Sequence, residues 1–365
     1  MITDQISSAG TSIWLDDLSR SKITGEDAHS LPYRIAHNNV VGVTTNPSIF
    51  NSAISHGAEY ASSIAALKAH SVEEVVQVLT TDDVRSACDL FAPIFEVSNG
   101  IDGRVSIEVD PRLAHETEES IKQGRELWKL VDRPNVMIKI PATLEGLDAI
   151  TALLADGISV NVTLIFSVER YVKVFEAFMK GLELRLAAGK SISEVTSVAS
   201  LFVSRVDTAV DAILKANNSP SSTALLGKAA IANAVLTYQA FEALSATPRS
   251  KALESNGARI QRPLWASTGV KDPAYDDTRY VLDLVAPNTV NTMPQATLDA
   301  VIDHGVLREV TLEAEYAKSQ SVFFLLEEVG VSMNDVTNEL ERDGVKKFAD
   351  AWNELLANVG KALNA

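Results

Sequence analysis

The segment NVMIKIPA (135–142) decides the fold. Side chains along a strand alternate between two faces, so Val136, Ile138 and Ile140 share one side while Met137 and Lys139 share the other. A V/I-rich face backed by a solitary lysine fits one stave of a barrel. Helices cover the apolar face and the lumen receives the other. The neighbouring runs repeat the design. Val105, Ile107 and Val109 oppose Ser106, Glu108 and Asp110; Val160, Val162 and Leu164 oppose Asn161 and Thr163. Farther out, Ile13 and Leu15 oppose Trp14 and Asp16, and Val41 and Val43 oppose Thr44 and Asn46.

Eight strand-like runs emerge: Ser12–Asp17, Val40–Asn46, Arg104–Asp110, Asn135–Ala142, Ser159–Ile165, Ser197–Val203, Arg262–Thr268 and Arg279–Ala286. Helical periodicity fills the intervals, as in VERYVKVFEAFMKGLELRLAA (168–188). Eight alternations without a Gly-rich dinucleotide fingerprint predict an α/β fold, a (β/α)8 TIM barrel. The long intervals 46–104 and 203–262 predict additional helices in two crossovers. The chain reads as one barrel domain over 1–365, with a C-terminal helical extension at 295–365 packed on the barrel. In that extension Val345, Phe348, Trp352, Leu355, Leu356, Val359 and Leu363 recur at helical spacing, an amphipathic face expected against the outside of the barrel, with a cover over the active-site mouth or a subunit interface as the alternatives.

Composition narrows the function. Of 365 residues, 46% are hydrophobic and 22% charged, ordinary values for a soluble globular protein. A net charge of −16 argues against nucleic acid, whose recognition needs clustered Lys and Arg. The single cysteine, Cys88, has no intrachain partner and reads as a buried structural thiol. The six histidines show no metal-ligand spacing, so no metal is expected, nor any other cofactor. The opening MITDQISSAG lacks the regions of a signal peptide, and no apolar run approaches the ~20 residues of a membrane span. A cytoplasmic protein without membrane contacts is expected; homo-oligomerisation stays open.

The lumen-facing set carries the chemistry. Asp16, Asn46, Glu108, Lys139, Asn161 and Thr163 come from five strands, near the strand ends where barrel active sites lie. Either Lys139 belongs to a buried ion pair or it is an amine nucleophile, its lone pair freed by desolvation. An iminium formed there is an electron sink that permits carbon–carbon cleavage, with Asp16 and Glu108 as candidate acid/base groups. Ser200 with Arg205, and Ser267 with Lys271, offer a hydroxyl and a cation after the sixth and seventh strands, where barrels often bind phosphate.

With these residues in place, a resemblance emerges. IWLDD (13–17), GVTTNPSIF (42–50), VSIEVDPRLAHET (105–117), VMIKIPAT (136–143), GISVNVTLIFS (157–167) and ASLFVSRVD (199–207) resemble the motifs of the transaldolase family, in the same order. The resemblance spans roughly Ser12 to Pro294. It implies a Schiff-base lysine at Lys139 and an acid/base at Asp16, which both the motif and the face alternation prefer to Asp17. It also implies that Glu108 and Thr163 hold a proton-relaying water, that Asn46 and Asn161 bind substrate hydroxyls, and that Ser200 and Arg205 bind phosphate. The implied reaction moves a dihydroxyacetone unit from sedoheptulose 7-phosphate or fructose 6-phosphate to glyceraldehyde 3-phosphate or erythrose 4-phosphate, in the pentose phosphate pathway.

One departure stands out. Many members carry a second phosphate-binding arginine after the seventh strand, whereas this chain reads WASTGVKDPAYDD (265–277), similar to the longer bacterial forms. Lys271 is the substitute, a point charge in place of a fork. A fructose-6-phosphate aldolase of the same superfamily is the nearest alternative; such enzymes resemble shorter chains with Gln in place of Glu108 and Tyr in place of Phe202. A non-catalytic sugar-phosphate-binding barrel is the alternative of a different class.

Overall fold

A computed structural model of the chain describes residues 1–308 and 310–364; Glu309 and Ala365, both inside the expected C-terminal extension, lie outside the described residues. Eight parallel strands close into a barrel in sequence order: β1 (Thr11–Asp16), β2 (Val40–Thr44), β3 (Arg104–Glu108), β4 (Val136–Pro141), β5 (Val160–Ile165), β6 (Ser197–Phe202), β7 (Arg262–Ala266) and β8 (Thr289–Met293). This is a (β/α)8 TIM barrel with extra helices in the crossovers and after β8. The expected faces hold for β4: Val136, Ile138 and Ile140 are fully buried, and Lys139 pairs in register with Glu108 on one side and Asn161 on the other. One row of the barrel therefore carries a carboxylate, an amine and an amide side by side.

Two local devices shape the lumen. Trp14 fills it from β1 because Gly42 lies opposite: a Cβ there would sit 2.6 Å from the indole ring. In β5, Leu164 adopts φ +60° where the register with β6 shifts between Val162 and Ile165. Bulges of this kind re-aim side chains near barrel rims and active sites.

Two sequence expectations are corrected. The eighth strand is not Arg279–Ala286: that run begins as a short helix, Arg279–Leu282, and β8 follows at Thr289–Met293. The apolar run 279–286 is buried outside the barrel wall, where Tyr280 donates from its hydroxyl to Asp207 and the Leu284 carbonyl accepts from Trp265. The true strand, TVNTM, has polar residues on both faces, which hides the alternation; Asn291 donates to the Tyr280 carbonyl.

The second correction concerns the C-terminal helix Met333–Leu363, which crosses the barrel mouth instead of packing on its outer flank. Near its start Glu341 pairs with Arg170 at 2.9 Å. Gly344 then passes over Leu164, 3.0 Å from a Cβ built on that glycine, and over Phe166. Phe348 reaches into the mouth, and Asn358 donates to Asn51 and Ser55 at the far side. Burial of Phe348, Leu355 and Val359 holds it, at about 1.5–3 kcal/mol per fully buried large side chain.

Candidate active site

The mouth holds a cavity of about 190 Å³ lined by Asp16, Thr44, Asn46, Lys139, Thr163, Ser200, Phe202, Arg205, Ser267, Lys271 and Phe348, among others. Four of the six residues whose lumen-facing positions suggested chemistry, Asp16, Asn46, Lys139 and Thr163, are thus gathered with the proposed phosphate ligands, whereas Glu108 and Asn161 are not in the lining; Glu108 lines a neighbouring cavity with Asn46 and Trp352. Lys139 is 4% exposed; it donates to the Thr45 carbonyl at 2.8 Å and stands 3.2 Å from Glu108 Oε2. Its Nζ lies 5.9 Å from the centre of the Phe348 ring.

Glu108 is 6% exposed, and neither of its oxygens holds a directed hydrogen bond to the described residues. Burial pushes its carboxyl above the ordinary range, against the opposing pull of Lys139. The Thr163 hydroxyl is likewise buried without a hydrogen-bond partner among the described residues. Buried polar groups are nearly always satisfied, so unused capacity beside a lysine marks a place for a substrate hydroxyl or a water.

Asp16 accepts from Thr44 Oγ1 at 2.6 Å, and that hydroxyl is 2.6 Å from Thr292 Oγ1. Burial raises the Asp16 carboxyl; Lys139 and the Thr44 hydrogen bond pull it back. Asp17 points elsewhere and pairs with Lys22 at 3.1 Å, leaving Asp16 as the carboxylate of the cavity.

At the other end, the Arg205 guanidinium packs over Phe202 at 4.9 Å and Phe348 at 5.8 Å, with no hydrogen bond or ion pair to the described residues. Desolvation lowers its pKa, while Asp16, Asp343 and Glu108 oppose the shift. Lys271 is exposed and also unpaired among the described residues; Ser267 stands 3.0 Å from Ser204, hydroxyl to hydroxyl. Phe202 packs against Phe166, ring centres 5.3 Å apart.

Two expected ligands are engaged by the protein itself. Asn161 is not part of the cavity lining; it donates to Ser106 and accepts from Ser200, so it bonds substrate only by exchanging those partners. Asn46 Oδ1 caps the helix Pro47–His56 by accepting from Ser48 and Ile49. Sequence reasoning missed Thr292 and the lumenal place of Phe348. Thr292 was hidden with β8. Phe348 was visible only as one tooth of an amphipathic pattern.

Among the described residues no helix is long and apolar enough to cross a membrane. Fold and site together define a (β/α)8-barrel protein whose mouth gathers a buried lysine, two carboxylates and an unpaired arginine. The model of the transaldolase/fructose-6-phosphate aldolase family matches residues 13–359. A transaldolase of Mycolicibacterium smegmatis is 54% identical over 354 residues, covering 96% of this chain and 94% of the relative. A transaldolase of Mycobacterium tuberculosis shows the same identity and coverage. One from Thermobifida fusca is 53% identical over 363 residues, 99% of this chain and 98% of its own. The chain belongs to the transaldolase/fructose-6-phosphate aldolase family and is an enzyme of the transaldolase type.

Proposed function

We propose that this enzyme transfers a dihydroxyacetone unit from sedoheptulose 7-phosphate or fructose 6-phosphate to glyceraldehyde 3-phosphate or erythrose 4-phosphate, through a Schiff base on Lys139, as a cytoplasmic step of the pentose phosphate pathway. The observation that carries the reading is Lys139 buried 3.2 Å from Glu108, in a mouth where Asp16 and an unpaired Arg205 line the same cavity. The Lys139 amine adds to the C2 carbonyl of the donor, and loss of water leaves an iminium. Asp16 takes the proton of the C4 hydroxyl as the C3–C4 bond breaks; C4 departs as an aldehyde and the electron pair becomes an enamine. The acceptor aldehyde then meets the enamine carbon, and Asp16 returns its proton to the new hydroxyl; water adds to the new iminium, the C–N bond breaks, and the product ketose leaves with the Lys139 amine restored. Glu108 and Thr163 relay protons through a water at the amine nitrogen, a task suited to a carboxyl whose burial raises its proton affinity. Asn46, and Asn161 on releasing Ser106, bind donor hydroxyls. Ser200, Ser267, Arg205 and Lys271 hold the phosphate end.

The test is an exchange assay between fructose 6-phosphate and erythrose 4-phosphate, paired with borohydride reduction of the enzyme in the donor alone. Transfer to erythrose 4-phosphate and a dihydroxyacetone-sized adduct on the Lys139 peptide are expected. Release of free dihydroxyacetone without transfer assigns the aldolase reaction instead, and sugar-phosphate binding without either product assigns a non-catalytic barrel.

A further inference from the structure

The end of the barrel opposite the active site holds a larger cavity, about 420 Å³, within the range of small-molecule sites. Strand starts and N-terminal loops line it, with Arg104, Ser197 and Arg262 in the wall and Arg259 at the rim. Three guanidinium groups face one another here in a chain of net charge −16. Barrel bottoms usually serve stability, and two of the arginines do so. Arg104, 1% exposed, donates to the Gly100 and Pro134 carbonyls and to Ser159. Arg262, 9% exposed, ties Ser12, the Ile101 carbonyl and Asp102 together.

Arg259 does not fit that account. Its Nη1 is buried and has no hydrogen-bond partner among the described residues, and it lies 2.7 Å from where a Cβ on Gly100 would stand. Its burial lowers its pKa, against the opposing pull of Glu194. Neighbouring Arg104 is pushed down to about 9 by its own burial and by the charges of Arg259 and Arg262, with only Asp102 among nearby carboxylates pulling it back. Like charges gathered in a desolvated pocket are costly unless an anion joins them.

We infer that this N-terminal cavity is a binding site for a small phosphate-bearing anion, gripped by Arg259 and the positive field of Arg104 and Arg262. The fork of Arg259 suits a phosphoryl group, which accepts two parallel hydrogen bonds. Thr196, Ser197 and Ser193 form one wall, but their hydroxyls already bond Ser159, the Val160 carbonyl and Ser191, so the grip falls to Arg259; the Asn99 and Asn288 amides close the rim. An anion held there bridges the loops carrying Asn99 and Asp102, Ser193 and Thr196, and Gly257 and Arg259, tying the barrel bottom together.

The experiment titrates the full chain with inorganic phosphate by calorimetry, in an Arg205→Ala background that weakens the active-site phosphate position. A saturable site is expected to persist there. Adding Arg259→Ala should weaken it about ten- to hundredfold, the loss of one charge-assisted contact. Arg259→Lys should fall between, since the charge remains and the fork is lost. Because Arg259 Nη1 has no hydrogen-bond partner among the described residues, Arg259→Ala alone should keep the wild-type melting temperature and the borohydride adduct on Lys139. A glycerol 3-phosphate arm separates phosphate esters from free phosphate: tighter binding than inorganic phosphate assigns an ester, equal or weaker binding assigns the free ion, and both support the site. No binding in the Arg205→Ala background, or binding unchanged by Arg259→Ala, overturns the assignment without touching the reaction proposed at the mouth.

Discussion

Replacing Thr44 by Val tests the view that a single hydroxyl tunes Asp16, the carboxylate proposed as the acid/base. Thr44 donates to Asp16 across 2.6 Å, the length of a charge-assisted O–H···O⁻ bond, in a site from which burial has removed competing water. In the proposed reaction Asp16 accepts the C4 hydroxyl proton only when ionised, so turnover should be lost as pH falls through its folded pKa. Burial raises that pKa, which places the acid limb of kcat above the ordinary carboxylate range; the Thr44 bond favours the charged form and pulls the limb back. Valine keeps the shape and removes the bond. Hydrogen bonds to charged groups contribute about 1.5–3 kcal/mol, so kcat on the acid limb should fall about ten- to hundredfold while the plateau at higher pH is largely kept. Stability carries a separate signature. A carboxyl with a raised folded pKa lowers stability as pH rises from its unfolded to its folded pKa, and losing the Thr44 bond widens that window upward. Initial rates of the fructose 6-phosphate/erythrose 4-phosphate exchange across pH, with urea melts at the same pH values, read both effects. An acid limb that does not move in Thr44→Val, at unchanged stability, refutes the reasoning and takes Asp16 out of the proton-transfer role.

Four further outcomes follow from the geometry. Lys139→Ala should leave no borohydride adduct and no exchange; an adduct on another lysine, found by peptide mass spectrometry, moves the chemistry elsewhere. Asp16→Ala should still trap some Schiff base yet fail at C–C cleavage, and near-normal cleavage would reinstate Asp17 despite its pairing with Lys22. Arg205→Ala should raise KM for fructose 6-phosphate about ten- to hundredfold with little change for unphosphorylated glyceraldehyde, and Lys271→Ala should cost less because an exposed lysine makes a weaker, unforked contact. Phe348→Ala removes a ring packed on Phe202 and Arg205, so chemical denaturation should show a loss of about 3–5 kcal/mol and the exchange assay a higher KM; an unchanged KM would make the helix a structural cover alone.

The sequence by itself determined the barrel and the heart of its mouth, because both rest on short-range periodicity. Alternation in VMIKIP put Lys139 on the lumenal face, and the same rule put Asp16, Glu108 and Thr163 beside it from three other strands. Alternation also preferred Asp16 to Asp17, whose carboxylate turns out to serve Lys22. Tertiary structure decided what periodicity cannot address. Arg279–Ala286 carried the stronger apolar run, yet β8 lies at Thr289–Met293, where Asn291 on the outer face is satisfied by a carbonyl that no local pattern announces. Thr292, and with it the hydroxyl pair behind Asp16, was lost for the same reason. The amphipathic pattern of the C-terminal helix says that one face is buried, not what buries it. Only the three-dimensional path of the chain lays Gly344 over Leu164 and brings Phe348 to within 5.9 Å of Lys139. Arg104, Arg259 and Arg262 are likewise scattered charges in the sequence, and only barrel closure gathers them around one cavity. Hydrophobic pattern is a local property of the chain, whereas partners are chosen by contacts between residues far apart in it.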